Sequence, residues 1–240
     1  PLNKKIKITK KNHKKWIDNC GQNNVFILQN YKNRKMSIWE YEVVEFFMKK
    51  LELNKNSVVL DIGAQQGLYS MLSKFYPNTK WHSFEPFTFS YELLNSNLEH
   101  EKITNVTTYN IALSEKKEEK YLYVPKRKND RGGLNCIAKQ DGRIKLNDCD
   151  KILVKTDTID NLFLNEKIDI IKMDVEGFEL NVLKGGLNTI KKYRPGILLE
   201  YMPTNMHTCG VTKTEFDKFF TDINYKFIQL EFGERFYYPF

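Results

Sequence analysis

The sequence has few cysteines, and their spacing fits neither a zinc site nor a disulfide framework. The four cysteines are far apart and include no C-x-x-C pair: Cys20, Cys136, Cys149 and Cys209. Long apolar runs are also missing. None approaches the ~20 residues that cross a bilayer, and the first residues lack the apolar stretch of a signal peptide. We therefore expect a cytoplasmic protein with no structural metal.

The composition is that of a globular protein. A chain of 240 residues with 41% hydrophobic and 13% aromatic content can bury a substantial core. We expect two parts. Residues 1–50 would form an N-terminal arm and a helix that packs on or covers the site, and residues 51–240 would form the main domain.

The net charge of +8 leaves two interpretations open. Lysines crowd residues 4–15, and Lys126-Arg127-Lys128 forms a second cluster. A lysine-rich surface solvated by water would account for both clusters. Alternatively, the basic arm contacts phosphate groups, either of RNA or of a phosphorylated or nucleotide-linked substrate.

Apolar runs that alternate with helical periodicity predict an α/β fold with a doubly wound, mostly parallel sheet. The predicted helices cover 37–51, 68–75, 89–98, 158–164 and 214–220. A further predicted helix begins after residue 179 and is closed by residues 184–186. Predicted strands cover 57–61, 81–85, 105–110, 119–124, 151–155, 168–174 and 195–201, with a terminal hairpin of 226–231 and 234–238. Residues 24–29 read as a short strand and residues 125–150 as a long loop, typical of a lid or a substrate-binding segment.

The most informative stretch is the segment from Val58 to Ser70. A buried strand ends at Asp61 and is followed by Gly63 and Gly67, after which the pattern becomes helical. A glycine turn between a strand and a helix lets the backbone approach a ligand closely. The dinucleotide pattern G-x-G-x-x-G is absent, and an acid in the turn suits a ligand with an ammonium group. Both observations disfavour a dehydrogenase.

Acids recur where predicted strands end. Glu85, followed by Pro86, lies 24 residues after Asp61, near the ~20-residue spacing at which an acid binds ribose hydroxyls. Asp174 and Glu200 end two further strands. Because ligands of parallel sheets bind at the carboxyl ends of the strands, the four acids predict a cationic or hydroxyl-rich ligand.

With these residues identified, the chain resembles the FkbM family of S-adenosylmethionine-dependent methyltransferases. The resemblance extends from about residue 57 to 201. The matching segments are Leu60-Asp61-Ile62-Gly63-Ala64-x-x-Gly67-x-Tyr69-Ser70, Phe84-Glu85-Pro86, Asn110-x-Ala112-Leu113-Ser114, Thr158-Ile159-Asp160, Lys172-x-Asp174-Val175-Glu176-Gly177-x-Glu179, Leu183-Lys184-Gly185 and Pro195-x-Ile197-Leu198-x-Glu200. Two positions depart from the family pattern: Gln65, where asparagine is common, and Tyr201, where histidine is common.

The resemblance implies a Rossmann-like class I methyltransferase sheet with an antiparallel C-terminal strand, S-adenosylmethionine as cofactor, and 51–240 as the methyltransferase domain. It implies that the turn after Asp61 holds the methionine part of the cofactor, that Glu85 binds the ribose, and that residues 110–113 border the adenine. The cofactor-binding residues expected are Asp61, Gly63, Ala64, Gln65, Gly67, Leu68, Glu85, Pro86, Asn110, Ala112, Leu113 and Asp174.

For catalysis we expect Asp174 to orient or deprotonate an acceptor hydroxyl, assisted by Glu176 or Glu200. The alternative is that Asp174 only caps the helix that follows it. A Mg²⁺ site of Asp174, Glu200 and His207 is conceivable on chemical grounds but is not favoured.

The favoured activity is O-methylation of a small molecule, a sugar or nucleotide-linked sugar, with no membrane partner. An RNA methyltransferase that uses the basic arm is one alternative. A non-catalytic binding module that keeps the fold is another, and the intact acids argue against it.

Overall fold

The computed structural model describes residues 39–126, 136–137, 146–230 and 233–240. The chain divides into two compact units, residues 1–54 and 55–240, and each is described by itself. In the first unit the described element is helix α1, Trp39–Leu53, close to the predicted 37–51. The predicted arm over 1–15 and strand over 24–29 lie outside the described residues.

The second unit alternates strands and helices as predicted. Its helices are α2 (Thr88–His100), α3 (Ile159–Phe163), α4 (Glu179–Lys184), α5 (Leu187–Tyr193), α6 (Pro203–Thr208) and α7 (Lys213–Asp222), with 3-10 helices at Ser70–Phe75 and Leu146–Asp148. Its strands are β1 (Val58–Ile62), β2 (Lys80–Phe84), β3 (Val106–Tyr109), β4 (Ala112–Leu113), β5 (Glu119–Pro125), β6 (Cys149–Asp157), β7 (Ile170–Met173), β8 (Gly196–Glu200), β9 (Tyr225–Gln229) and β10 (Glu234–Pro239).

The described strands form a seven-stranded sheet in the order β3-β2-β1-β7-β8-β10-β9 and a three-stranded sheet in the order β4-β6-β5. In the large sheet β3, β2, β1, β7 and β8 are parallel, whereas β10 runs antiparallel to β8 and to β9. The α/β class, the mostly parallel sheet and the antiparallel C-terminal strand are therefore confirmed. Four parallel strands, β2, β1, β7 and β8, bring the predicted acids to one edge.

The two faces of the large sheet differ in character. One face carries a continuous apolar core, to which the sheet contributes Leu60, Ile62, Phe84, Ile171, Met173, Ile197 and Leu199. The other face carries Ser83, Asp61 and Lys172 side by side, because these residues are paired in register on β2, β1 and β7. Buried polar groups of this kind have to satisfy one another, since water does not reach them.

The helical segments differ from expectation in three places. The segment predicted as a helix over 68–75 forms only a 3-10 helix, Ser70–Phe75. It ends there because Pro77 disfavours α geometry at the residue before it. Helices α5 and α6 were not predicted, because each is about two turns long and shows little apolar periodicity. Helix α7 begins with a capping box of Thr212 and Glu215, a signal legible in the sequence.

No helix within the described ranges is long and apolar enough to cross a membrane.

Candidate active site

The turn after β1 is a tight backbone cradle. Gly63 has φ +78°, and the amide N–H groups of Gly63 and Ala64 both donate to the Phe84 carbonyl oxygen at 3.0 Å. A Cβ at Gly63 would lie 1.9 Å from the carbonyl oxygen of Asp174, so only glycine fits there. The turn therefore presses against the backbone that follows β7.

The remaining predicted residues of this turn have distinct positions. Gln65 has a left-handed backbone at φ +48°, whereas Ala64 is buried and Leu68 is half-buried. A Cβ at Gly67 would meet Leu94 of α2 at 2.5 Å. Gly67 therefore permits close packing of the turn on α2.

Glu85 lies at the carboxyl end of β2, with its carboxyl group aimed back at the glycine turn. One carboxylate oxygen accepts the Gln65 N–H at 2.9 Å, and the other accepts the Phe87 N–H at 2.8 Å. The residue is only 4% exposed, and burial raises the pKa of its carboxyl group from 4.5 to about 7. A buried carboxylate that still has lone pairs to offer is suited to a pair of hydroxyl groups.

Asn110 fixes the backbone on which Glu85 stands. Its side-chain amide donates to the carbonyl oxygens of Glu85 at 2.8 Å and of Pro86 at 3.1 Å. Its own carbonyl oxygen accepts from the hydroxyl group of Thr88 at 3.2 Å. This side chain is thus turned to the protein backbone, while Ala112 and Leu113 form strand β4 beyond it.

The loop after β7 carries two of the predicted catalytic residues. Asp174 has a side chain that is 31% exposed, and Glu176 adopts a left-handed backbone with φ +55°. The Glu176 carboxylate accepts from the side-chain amide of Asn205 at 3.0 Å. A left-handed conformation in a residue other than glycine costs energy, and such strain concentrates at functional sites.

Glu179 stabilises this loop from within. One of its carboxyl oxygens accepts the N–H groups of Val175 at 3.3 Å and Gly177 at 3.2 Å, and the residue is 1% exposed. Burial raises its pKa to about 8. Sequence reasoning placed Glu179 in a motif but gave it no role, although an acid two residues after the loop glycine is the signal that identifies it.

The Asp61 side chain lies on the same face of the sheet as Ser83 and Lys172. Its carboxylate accepts from the Ser70 hydroxyl at 2.5 Å, and Ser70 in turn contacts the Ser83 hydroxyl at 2.7 Å. Asp61 is 1% exposed, and burial raises the pKa of its carboxyl group although Lys172 and Ser70 oppose that shift. The Asp61 carboxylate is thus bound within the protein, by the Ser70 hydroxyl.

Glu200 ends β8 and lies opposite Glu234 of the antiparallel strand β10. The next residue, Tyr201, packs with its ring against Phe216 at 5.4 Å between centroids, and its ring lies 3.4 Å from the guanidinium carbon of Arg235. The tyrosine at the position where histidine is common is therefore part of the core cluster and not of the cleft.

A cleft of about 550 Å³, its open mouth included, lies at the carboxyl edge of the parallel strands. Eight of the predicted residues line it: Gly63, Gln65, Glu85, Pro86, Ala112, Leu113, Asp174 and Glu176. The other predicted residues, Asp61, Ala64, Gly67, Leu68, Asn110 and Glu200, support this lining or lie beside it. Sequence reasoning placed Ile111, within residues 110–113, at the site, but it did not anticipate the rest of the apolar wall, which consists of Ile62, Phe84, Leu122, Cys136, Ile137, Val175 and Phe178.

The small sheet supplies part of that wall. Leu122 is on the buried side of β5, and Cys136 bridges to Tyr123 of the same strand. The alternation of residues 119–124 could have revealed Leu122, but nothing in the text around Cys136 indicates where it lies. Most of the predicted loop 125–150 is outside the described residues.

Across the ranges that the structure describes, no three His, Cys, Asp or Glu side chains are grouped as a metal ion requires. His207, the third ligand considered, is exposed on α6.

The lining fits S-adenosylmethionine. Two features carry this fit: the buried Glu85 carboxylate at the end of β2, and Gly63, which lines the cleft beside it. The apolar residues around Phe84 and Leu113 suit a flat base, and the carboxylates suit the hydroxyl and ammonium groups.

Comparison with known proteins agrees with this fit. The model of the FkbM methyltransferase domain matches residues 61–230. The methyltransferase sdnD of Sordaria araneosa is 29% identical over 161 residues, which are 55% of this chain and 61% of that protein.

Two solved structures are similar to this chain, and the first of them shows the same fold. The FkbM methyltransferase of Methylobacillus flagellatus KT superposes with a TM-score of 0.53 at 16% identity, covering 77% of this chain and 44% of that one. A SAM-dependent methyltransferase of Aquifex aeolicus has a TM-score of 0.47 at 14% identity, covering 81% and 88%. This chain thus spans less than two thirds of sdnD and of the M. flagellatus protein. Since the family model covers well over half of its residues, the chain belongs to the FkbM methyltransferase family.

Proposed function

We propose that this protein transfers a methyl group from S-adenosylmethionine to a hydroxyl group of a small molecule, with a sugar as the favoured acceptor. The observation that carries the proposal is the buried Glu85 carboxylate, which is held by two backbone N–H groups beside the glycine turn. Such a group binds the two ribose hydroxyls and so fixes the cofactor in one orientation.

Different residues around the cleft would bind different parts of the cofactor. The Gly63 turn and Asp61 lie at the methionine end, Glu85 takes the ribose, and Ala112 and Leu113 border the base. When bound, the cofactor supplies an activated methyl group on a sulfonium. The protein then has to align an acceptor oxygen with that group and exclude competing nucleophiles.

Asp174 is the residue we assign to the acceptor. It lines the cleft next to Gly63, and its partly exposed carboxylate can accept the proton of a hydroxyl group. Glu176, locked by Asn205, lies two residues further along the same lining. Glu200 does not line the cleft and would act only through its neighbours.

The charge of the lining favours an uncharged acceptor. Its acidic members are Glu85, Asp174 and Glu176, and the described lining contains no lysine, arginine or histidine. A phosphate group beside these carboxylates would be repelled. If the acceptor is a nucleotide-linked sugar, its phosphates therefore lie away from these three carboxylates.

Calorimetric titration with S-adenosylhomocysteine tests the cofactor site. We expect micromolar binding by the wild type and a loss of about 10- to 100-fold in Glu85→Ala, since one charge-assisted hydrogen-bond acceptor is worth roughly 1–3 kcal/mol.

The matched control is Glu92→Ala, which removes an exposed acid from α2 and leaves the site intact. This variant should bind like the wild type. Absence of binding by folded wild-type protein would contradict the proposal, as would equal affinity in Glu85→Ala.

A further inference from the structure

Lys172 is a buried lysine directly beneath the carboxyl edge of the sheet. It lies in the middle of β7, is 4% exposed, and is paired in register with Asp61 of β1. Its ammonium nitrogen is 3.3 Å from a carboxylate oxygen of Asp174 and 4.8 Å from the centre of the Tyr69 ring. A lysine is seldom buried to this extent, and it requires anionic partners when it is.

Those partners come from β1, from β10 and from the loop after β7. Burial lowers the pKa of Lys172, but the carboxylates of Asp174, Glu234 and Asp61 raise it, and the net result is a pKa above the ordinary value. The cluster of charged side chains around Lys172 therefore contains three carboxylates and one ammonium. Its net charge is negative, and further carboxylates adjoin it: Glu85 near Asp61 and Asp174, and Glu200 opposite Glu234.

The ammonium has a specific effect on Asp61. Burial raises the pKa of the Asp61 carboxyl group, and the nearby Asp174 carboxylate raises it further, whereas Lys172 is the largest influence that lowers it. Without Lys172, the buried Asp61 carboxyl group would face the Asp174 carboxylate with no ammonium to balance them. The pKa of Asp61 would then rise further, as it does for one member of other pairs of close carboxylates.

We propose that Lys172 is a positioning residue of the cofactor site, whose ammonium holds the carboxylates of Asp61 and Asp174 side by side under the Gly63 turn. The inference rests on the proposed function, because these carboxylates would attract the ammonium and sulfonium charges of S-adenosylmethionine. Lys172 itself does not line the cleft, so it acts through the two acids.

The test is the pH dependence of S-adenosylmethionine affinity between pH 6 and pH 8, measured by calorimetry. Titration of Glu85 should make wild-type binding about tenfold weaker at pH 6 than at pH 8. In Lys172→Met the pKa of Asp61 should rise further, so protonation of Asp61 adds to that of Glu85 and the difference becomes larger than tenfold. A role in packing alone would lower stability without changing this slope.

Three further variants make the test decisive. Lys167→Met removes an exposed lysine with its own ion pair to Asp169, and it should keep the tenfold slope. Lys172→Arg retains the charge and should also keep the tenfold slope. Lys172→Met/Asp61→Asn removes both charges, so its slope should return to about tenfold.

The outcomes separate cleanly. A tenfold slope in Lys172→Met overturns the inference, as does a steeper slope that persists in the double variant. If Lys172→Met fails to fold while the double variant folds, the charge balance is supported; if both fail alike, Lys172 is only a packing residue. Wild-type protein that does not bind the cofactor would contradict the proposed function instead.

Discussion

The protonation state of the Glu85 carboxyl group should be visible in cofactor binding. This group needs to be ionised to accept hydrogen bonds from ribose hydroxyls, and burial raises its pKa to about 7. A proton therefore competes with the cofactor below that pH.

We predict that affinity for S-adenosylhomocysteine rises with pH and is about tenfold higher at pH 8 than at pH 6. The sign follows from the raised pKa: the ionised form is the minority at pH 6 and the majority at pH 8. Titrations in matched buffers would measure this. Glu85→Gln cannot ionise and should show weak, pH-independent binding, whereas a slope that persists in it would assign the titration to another residue.

Single residues also show which features of the site sequence motifs can predict. Eight predicted residues line the cleft, yet Asp61 and Asn110, expected at the cofactor itself, direct their polar groups to Ser70 and to backbone carbonyls. Their assigned contacts with the cofactor stay predictions. A motif specifies residue types in order, but the direction of a side chain depends on the partners that it meets.

At the scale of elements, the loop between β7 and α4 depends on glycine for its shape. Gly177 has φ +102°, and a Cβ there would lie 2.3 Å from the backbone carbonyl of Asn205 in α6. Both the conformation and the contact exclude a side chain. The loop holds Asp174 and Glu176 at the cleft, so its shape is coupled to the site.

Gly177→Ala should destabilise the protein by about 3 kcal/mol and weaken binding of S-adenosylhomocysteine. The matched control is Gly233→Ala in the turn between β9 and β10. Gly233 has a similar φ of +94°, but its nearest neighbours are 3.3 and 3.4 Å away. The control should lose only about 1 kcal/mol and bind normally. Urea denaturation and calorimetry measure both quantities; equal losses in the two variants would show that the close contact with Asn205 is unimportant.

The elements were predicted best where apolar runs were long. All the parallel strands of the large sheet and helices α1, α2 and α7 fall within a few residues of expectation. The short helices α5 and α6 escaped prediction, because burial against the sheet stabilises them more than their own sequence does. The three-stranded sheet was also not predicted as such, since only the pairing of β4 and β5 with β6 creates it.

For the whole molecule, charge is distributed unevenly. The chain has a net charge of +8, yet the described lining of the cleft carries three carboxylates and no basic side chain. A low-polarity cleft strengthens such a local field over that of the distant surface. We therefore expect the acceptor to be selected by the cleft and not by the overall charge.

A methyl-transfer screen that pairs free sugars with their phosphate esters would test this expectation. We predict higher turnover with the uncharged member of each pair, and a fall of about 100-fold in Asp174→Asn if Asp174 acts as the general base. Asp222→Asn, an exposed acid of α7, is the control. Preference for the phosphate esters, or for RNA with strongly salt-dependent affinity, would contradict the proposed acceptor. Near wild-type turnover in Asp174→Asn would remove the base assignment.

The sequence by itself determined the fold class, the family and the edge of the sheet that carries the site. Buried strands have to be apolar, glycine has to occupy tight turns, and parallel strands bring their carboxyl ends together, so these constraints are readable in order along the chain. The tertiary structure decided which polar groups meet across strands. Only register places Lys172 beside Asp61, and only the packing of α6 on the loop pairs Asn205 with Glu176, because contacts between distant residues leave no periodic trace in the sequence.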